Sequence, residues 1–207
     1  MEEYKISILT VTYNHGHYIE QNIKSVLDQN YKNVEHIIID GGSTDNTIEI
    51  LKKHPQLKWI SEKDDGQCDA LNKGLEMATG EIIGWLNSDD YYVENIFHKI
   101  NMFFQTKSCD WLIGDSFNFY EQHNAKEYIS SAPITYDALL KDTKIVRQPP
   151  TFFRKSLLEI TGFLRKEFHY ENDYELWLRL STQSIPLMVN EPFAVFRIHA
   201  AQKTSAL

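Results

Sequence analysis

The feature that most constrains this chain is a regular alternation of strand-like and helix-like segments through its first half. Runs rich in β-branched residues predict buried strands at residues 6–13, 34–40, 57–61 and 81–86. Apolar residues at helical spacing predict helices at residues 19–27, 43–53, 71–78 and 96–104. Asp45 falls in the first turn of the second helix, and Gly80 is predicted to cap the C-terminus of the third. Such alternation is typical of a mostly parallel sheet with helices on both faces.

The second half is less regular, but its patterns predict further parts of the same sheet. Residues 110–120 alternate as strands of a mixed sheet or hairpin do, and residues 192–199 predict a final strand. Helices are predicted at residues 156–160 and 172–180, with Asp173 in the first turn of the latter. We therefore expect an α/β fold with a mostly parallel mixed sheet flanked by helices. We expect the chain to form a single Rossmann-like domain over residues 1–207, in which the second half lines one side of a cleft.

Composition and charge argue against several classes of protein. A net charge of −8 argues against a general nucleic-acid binder, which carries a basic face. Two cysteines, Cys68 and Cys109, are too few for a disulfide framework, and we expect them to be reduced. The N-terminus lacks the pattern of a signal peptide, and no apolar run approaches the length of a membrane span. These observations predict a soluble cytoplasmic protein, with contact to the inner face of the membrane left open.

Acidic residues follow several of the predicted strands. Ligands in such sheets bind outside the carboxyl ends of the strands, so Asp40, Asp64, Asp65, Asp89 and Asp90 are expected to converge there. Like charges in a cleft are costly unless a cation lies among them, and Mg²⁺ or Mn²⁺ accepts oxygen ligands. Asp89 is the favoured ligand because it follows a buried strand. The alternative is that both acidic segments form only turns and helix caps.

Six segments in order along the chain resemble the family 2 glycosyltransferases with the GT-A fold, of the bacterial non-processive type. They are SILTVTYN (7–14), IIIDGGSTDNT (37–47), DALNKGLEMATGEIIGWLNSDD (69–90), QPPTFFRKSLLEITGFL (148–164), ENDYELWLRL (171–180) and FRIHAAQKTS (196–205). The Gln-x-x-Arg-Trp motif of processive polysaccharide synthases is absent from the sequence. The resemblance therefore implies transfer of one sugar per encounter.

The resemblance implies a nucleotide-binding half at residues 1–106 and an acceptor and catalytic-base half at residues 107–207. Asp40 would contact uracil, and Asn87 would contact the ribose directly or through water. Gly41 and Asn87 stand where many relatives carry Asp. The full set implied for the nucleotide is Thr10, Thr12, Tyr13, Asn14, Asp40, Gly41, Asp69, Asn72, Asn87 and Ser88.

The resemblance also implies the metal and catalytic residues. Asp89 would ligate Mn²⁺ or Mg²⁺ at the diphosphate, with His199 as a further metal ligand or a diphosphate contact. Asp173 would be the catalytic base, because it matches the base in the family's Glu-Asp motif, and a helix N-terminus favours its ionised form. The alternative for Asp173 is a helix cap, and Glu171 and Glu175 are competing carboxylates. The acceptor-side residues would be Gln148, Glu171 and Asn172.

The implied reaction moves a hexosyl or N-acetylhexosaminyl group from a UDP-sugar to a saccharide or lipid-linked saccharide, with inversion, in surface polysaccharide synthesis. One alternative is a sugar nucleotidyltransferase, which needs a basic Gly-rich loop where residues 12–16 read TYNHG. Another is a non-catalytic or truncated nucleotide-sugar-binding domain. Several cations could reach phosphate or form surface salt bridges: Lys73, Arg147, Arg154, Arg197 and Lys203.

Overall fold

The strands of the first half lie side by side in parallel, as the sequence predicts. The computed structural model describes residues 3–142, 146–168, 171–200 and 202. In it, β1 (Ile6–Thr12) pairs with both β2 (Val34–Asp40) and β4 (Ile82–Trp85), and β3 (Lys58–Ser61) pairs with β2. Thr12 lies opposite Asp40 in the register of β1 and β2. The carboxyl ends of these strands therefore reach the same edge of the sheet.

Strands of the second half extend this sheet. They are β5 (Tyr91–Tyr92), β6 (Trp111–Tyr120), β7 (Ala125–Ile129), β8 (Thr151–Arg154) and β9 (Leu187–Ile198). Within the described residues the strand order is β3-β2-β1-β4-β8-β6-β9-β5, and β7 forms a hairpin with β6. β8 lies antiparallel between β4 and β6, whereas β9 runs parallel to β6. The sheet is thus mixed, and its parallel part carries the polar strand ends.

Helices cover both faces of the sheet. They are α1 (Ile19–Leu27), α2 (Thr47–Leu51), α3 (Gln67–Met77), α4 (Phe97–Thr106), α5 (Tyr136–Leu139), α6 (Lys155–Thr161) and α7 (Asn172–Ser181). Successive residues of β1 point to opposite faces. Leu9 packs in one core cluster with Leu71 of α3, and Ile8 packs in another with Phe97 of α4. None of the described helices is both long and apolar enough to cross a bilayer.

Several helix boundaries differ from the sequence prediction, and α3 begins at Gln67, four residues before the predicted start at 71. α2 begins at Thr47 instead of residue 43, because side chains hold the preceding loop: Asp45 Oδ1 accepts a hydrogen bond from Thr47 N at 2.9 Å. The placement of Asp45 within the helix is therefore wrong. α3 ends at Met77, so Gly80 is not its cap. A Cβ at Gly80 would lie 2.6 Å from Lys5 O, so this glycine permits a close backbone approach.

The strands of the second half also differ in detail. β8 was not predicted, because it is only four residues long, follows Pro149 and Pro150 directly, and has Thr151 as its one β-branched residue. β9 begins at Leu187, five residues before the predicted start at 192. The helix over residues 172–180 is confirmed, with Asp173 in its first turn.

Candidate active site

A cavity of about 780 Å³ opens at the carboxyl edge of the parallel strands. Val11, Thr12 and Tyr13 line it from the end of β1, and Asn87, Ser88 and Asp89 line it from the loop after β4. The β3–α3 loop contributes Asp64, Asp65, Gly66, Gln67 and Cys68. His15, Ala70 and Lys166 complete its described lining. The acidic strand ends thus meet where the topology predicts a ligand.

Asp89 and His199 face each other beside this cavity. Asp89 Oδ2 lies 3.1 Å from His199 Nε2, although the two residues are 110 positions apart. Arg197 fixes the loop beneath them, because its Nε donates to Asp89 O at 2.9 Å. Its backbone N–H donates to Asp90 Oδ1 at 2.8 Å. The end of β9 therefore holds the loop that carries Asp89.

Asp90 does not face the cavity. Its side chain is buried, and burial together with the charge of Asp89 raises the pKa of Asp90 well above its usual range. Asp89 is partly exposed and lines the cavity. Of these two adjacent carboxylates, Asp89 is the one available to a ligand.

His15 is a site residue that the sequence reasoning did not select. It lines the cavity, and its Nδ1 lies 2.7 Å from Ser88 Oγ in the same loop as Asp89. Burial lowers the pKa of His15. The signal that could have identified it is its place directly after the polar end of β1, between Asn14 and Gly16. Its ring centroid lies 6.4 Å from that of His199.

The donor set suits a divalent cation held by few protein ligands. Among the described residues, no group of three His, Cys, Asp or Glu side chains converges to hold a metal. The pair Asp89 and His199 offers one carboxylate oxygen and one imidazole nitrogen, both of which Mn²⁺ accepts. Mg²⁺ is also commonly bound through one or two protein groups, with substrate phosphates and water completing the shell. The residues therefore fit a metal whose remaining ligands come from a diphosphate.

Asn87 is held by a network of neutral amides. Its Oδ1 accepts from Trp85 Nε1 at 2.9 Å and from Gln67 Nε2 at 3.1 Å. Its Nδ2 donates to Gln148 Oε1 at 3.0 Å, and Gln148 Nε2 donates to the carbonyl of Trp85. Gln148 is buried. The structure therefore gives Gln148 a supporting role beneath the cavity, and its predicted contact with an acceptor stays a prediction.

Asn172 joins the same network from α7. Its Nδ2 donates to Cys68 Sγ at 3.2 Å and lies 3.4 Å from Gln67 Oε1. Its Oδ1 accepts the backbone N–H of Asp173 at 2.9 Å. Asn172 is also buried and connects the start of α7 to the start of α3. Its predicted contact with an acceptor stays a prediction. Contacts through Gln67 thus connect the Asp89 loop with the helix that carries Asp173.

Asp173 lies in the first turn of α7 and is partly exposed. Its Oδ1 accepts from Tyr174 N at 2.7 Å. The competing carboxylate Glu175 forms ion pairs with Arg165 and Arg179, which leaves it poorly suited to take a proton. Glu171 precedes the helix and is exposed. Asp173 and Glu171 therefore remain as candidate bases.

Asp40 is used within its own loop. Its carboxylate is fully buried. Oδ2 accepts from Gly42 N at 3.0 Å, from Ser43 N at 2.9 Å and from Ser61 Oγ at 2.7 Å, and Oδ1 accepts from Ser43 Oγ. These bonds shape the turn after β2. The predicted contact between Asp40 and a base stays a prediction, and in this structure the carboxylate binds the turn and Ser61 of β3.

Four other predicted nucleotide residues also brace the fold. Thr10 is buried, with its Oγ1 2.9 Å from His36 Nε2. Asn14 Oδ1 accepts from Thr44 N at 2.8 Å. Asp69 is bound by Lys166 and Lys73, and these bonds lower the pKa of Asp69 to about 2. Asn72 exchanges two hydrogen bonds with the backbone of Leu164, at 2.9 and 3.0 Å. None of the four lines the cavity, whereas Thr12, Tyr13, Asn87 and Ser88 do.

The candidate phosphate-binding cations are mostly occupied elsewhere. Lys73 pairs with Glu62 and Asp69, and Arg154 donates to the carbonyls of Phe104 and Cys109. Arg197 stacks on the rings of Tyr18, Tyr91 and Phe119. Lys203 lies outside the described residues. Lys166 is the cation among the described cavity-lining residues.

The family model described as glycosyl transferase family 2 matches residues 7–161. The chain is 31% identical over 207 residues to the Escherichia coli UDP-Glc:alpha-D-GlcNAc-diphosphoundecaprenol beta-1,3-glucosyltransferase WfaP, covering 94% of this chain and 78% of that protein. It spans 66% of the length of two curated glycosyltransferases from Rickettsia.

Solved structures show the same fold. S. aureus TarS 1-349 in complex with UDP-GlcNAc matches with a TM-score of 0.82 at 20% identity, over 98% of this chain and 61% of that chain. The mannosyltransferase PcManGT from Pyrobaculum calidifontis, in complex with GDP-Man and Mn²⁺, matches with a TM-score of 0.71 at 17% identity, over 98% of this chain and 59% of that chain.

Proposed function

The chain belongs to glycosyltransferase family 2, with the GT-A fold, and on this premise we propose that it transfers a hexosyl or N-acetylhexosaminyl group from a UDP-sugar to a saccharide hydroxyl. The observation that carries the proposal is the meeting of Asp89 and His199, 3.1 Å apart, at a cavity on the carboxyl edge of the parallel strands. UDP-glucose in the name of WfaP supports a UDP-sugar as the donor.

Asp89 and His199 would hold a divalent cation, Mn²⁺ or Mg²⁺, at the donor diphosphate. A bound cation would stabilise negative charge on the departing UDP. The Mn²⁺ named in the PcManGT complex supports this cofactor class. Arg197 and His15 would keep the Asp89 loop in place, through the contacts to Asp89 O and to Ser88. Lys166 is placed to offer a positive charge at the cavity.

Asp173 would act as the catalytic base. Its position in the first turn of α7 favours the ionised carboxylate, because the helix dipole is positive at that end. The carboxylate would take the proton of the acceptor hydroxyl while that oxygen attacks the anomeric carbon and UDP leaves. Attack from the face opposite the leaving group inverts the anomeric configuration. Asn172 would orient Asp173 through its bond to the Asp173 backbone.

The acceptor proposed for this chain is a saccharide linked to a lipid diphosphate, in surface polysaccharide synthesis. The diphosphoundecaprenol acceptor in the name of WfaP supports it. In this proposal residues 1–106 bind the nucleotide and residues 107–207 provide the acceptor side and the base, in one domain. Work on the membrane-linked acceptor would take place at the cytoplasmic face of the membrane.

The test separates nucleotide binding from catalysis. We expect Asp173→Asn to lower kcat by about 10²- to 10⁴-fold, the contribution of a positioned base, while UDP affinity stays unchanged. Glu171→Gln is the matched control, because Glu171 lies two residues before Asp173 at the N-cap of α7, and this variant should retain activity. We expect Asp89→Ala to abolish the part of UDP binding that depends on Mn²⁺, measured by thermal stabilisation. Retained turnover in Asp173→Asn contradicts the base, and UDP binding without turnover on any saccharide acceptor supports a non-catalytic domain.

A further inference from the structure

Asp64 places a carboxylate at the cavity from the loop between β3 and α3. The residue is partly exposed and lines the cavity. Gly66 N donates to Asp64 Oδ1 at 2.9 Å, which fixes the orientation of the carboxylate. Within the part of the chain that the structure describes, no protein donor reaches Asp64 Oδ2. One oxygen is therefore held and the other is available to a ligand.

Gly41 leaves the space that this carboxylate occupies. A Cβ added at Gly41 would lie 2.8 Å from Asp64 Oδ2, and its three nearest atoms all belong to the Asp64 carboxylate. Gly42 has a φ of 83°, whereas Gly41 is not among the glycines with positive φ. The backbone at position 41 would thus accept a side chain without strain. The glycine at 41 provides room for the Asp64 carboxylate, and any side chain there would displace it.

The surroundings of this carboxylate suit a flat ring. Gly41 N donates to Thr12 O at 2.9 Å, so Gly41 lies beside the end of β1. The next residue, Tyr13, lines the same cavity with an aromatic side chain that is 60% exposed. An exposed aromatic face is a stacking surface for a base. Tyr13 and Asp64 therefore both line the cavity, and Gly41 lies against the Asp64 carboxylate.

A carboxylate distinguishes bases by whether the atom that faces it donates or accepts a hydrogen bond. An ionised carboxylate only accepts hydrogen bonds, so it needs an N–H donor on the ring. Uracil presents N3–H at its pairing edge, whereas cytosine presents a lone pair at N3. The same carboxylate therefore attracts uracil and repels the corresponding edge of cytosine. Guanine carries ring and amino donors, which makes GDP the competitor to compare.

We infer that Asp64, whose carboxylate occupies the space left by Gly41, is the residue of this chain that recognises uracil, accepting N3–H at Oδ2 from the cavity. The inference rests on the proposed function and specifies its nucleotide. Asp40 is the weaker candidate, because its carboxylate is fully buried and accepts three bonds from Gly42 and Ser43 in its own turn and one from Ser61 of β3. The neighbouring Asp65 is exposed and is not among the nearest atoms to position 41.

The test is calorimetric titration of the full chain with UDP, CDP, GDP and N3-methyl-UDP, in the presence of Mn²⁺. For the wild type we expect UDP to bind about 10- to 100-fold more tightly than CDP and N3-methyl-UDP, the effect of one hydrogen bond to a charged group. Asp64→Ala should lose this preference. Asp64→Asn should narrow the ratio between UDP and CDP, because its amide can donate to cytosine N3. Asp65→Ala is the matched control and should preserve the wild-type ratio.

Substitutions at position 41 provide an independent test of the same inference. Gly41→Ala should weaken UDP binding by displacing the Asp64 carboxylate. The exchange Gly41→Asp with Asp64→Gly should restore the preference for UDP over CDP, because the carboxylate returns from the other side of the same space.

The outcomes separate this inference from the proposed function. An unchanged ratio of UDP to CDP affinity in Asp64→Ala overturns the role of Asp64 and leaves the glycosyltransferase proposal standing. Tighter binding of GDP than of UDP overturns the assignment to uracil. A wild-type chain that binds no nucleotide overturns both.

Discussion

Replacing Asn87 with Asp tests the amide network directly. The substitution exchanges an amide for a carboxylate with almost no change in shape. Asp keeps the oxygen that accepts from Trp85 and Gln67, but puts a second carboxylate oxygen where Asn87 Nδ2 now donates to Gln148 Oε1 at 3.0 Å. Two acceptors would then face each other at hydrogen-bond distance.

Gln148 cannot resolve this conflict by rotating its amide. Rotation would turn its Nε2 toward position 87, but that Nε2 now donates to the carbonyl of Trp85. One buried acceptor is left unpaired in either orientation. An unpaired buried group costs about 1–3 kcal/mol, so we expect Asn87→Asp to lower the free energy of unfolding by about that amount.

The assay is urea denaturation of Asn87→Asp, Gln148→Ala and the double variant. With the Gln148 amide removed, the carboxylate at 87 no longer faces an acceptor. The double variant should therefore be more stable than the sum of the two single effects predicts, with a coupling of about 1 kcal/mol or more. Asn124→Asp, at an exposed position, is the control and should stay near the wild type. Wild-type stability in Asn87→Asp, or strict additivity in the double variant, would refute the network.

Two further predictions follow from buried groups. Burial lowers the pKa of His36 to about 3, so below pH 6.5 the unfolded chain binds a proton that the folded chain does not, and the free energy of unfolding decreases as the pH is lowered. His36→Gln should reduce the loss of unfolding free energy between pH 7 and pH 5 by about 2 kcal/mol, measured by urea titration at each pH. A pH dependence identical to that of the wild type would contradict the lowered pKa. Arg197→Lys keeps the charge but loses the stacking on Tyr18 and the Nε–H that donates to Asp89 O, so the Mn²⁺-dependent part of UDP binding should weaken. Calorimetry showing unchanged binding would contradict this role of Arg197.

The elements with strong local patterns could be predicted from the sequence. The four parallel strands and the helix with Asp173 follow from local periodicity, which depends on neighbours within one or two turns. Hydrogen bonds from loop side chains determined where a helix begins, which periodicity could not predict. Residues 43–46 carry a helix-like pattern, but Asn14 Oδ1 accepts a hydrogen bond from Thr44 N and Asp45 Oδ1 accepts one from Thr47 N. These bonds hold the segment as a loop. β8 could not be predicted, because four residues with one β-branched side chain after two prolines carry too weak a pattern.

The candidate site was likewise predictable only in part from the sequence. Parallel topology alone brings Asp89 to the carboxyl edge, because strand ends of a parallel sheet share that edge. Residue type alone did not identify which predicted side chains point into the cavity. Asp40, Asp69, Asn72, Gln148 and Asn172 are polar and close to it, yet each is bound by neighbouring backbone or side chains.

The sequence by itself determined the class of fold, the family and the edge of the sheet at which polar residues gather, since these depend on periodicity, motif order and strand direction. Only the tertiary structure decided that Asp89 meets His199, that Asp64 fills the space above Gly41, and that Gln67 links Asn87 to Asn172. These contacts join positions 20 to 110 residues apart. Their partners are selected by the packing of β9, α3 and α7 around the parallel strands, and no local pattern in the chain encodes that packing.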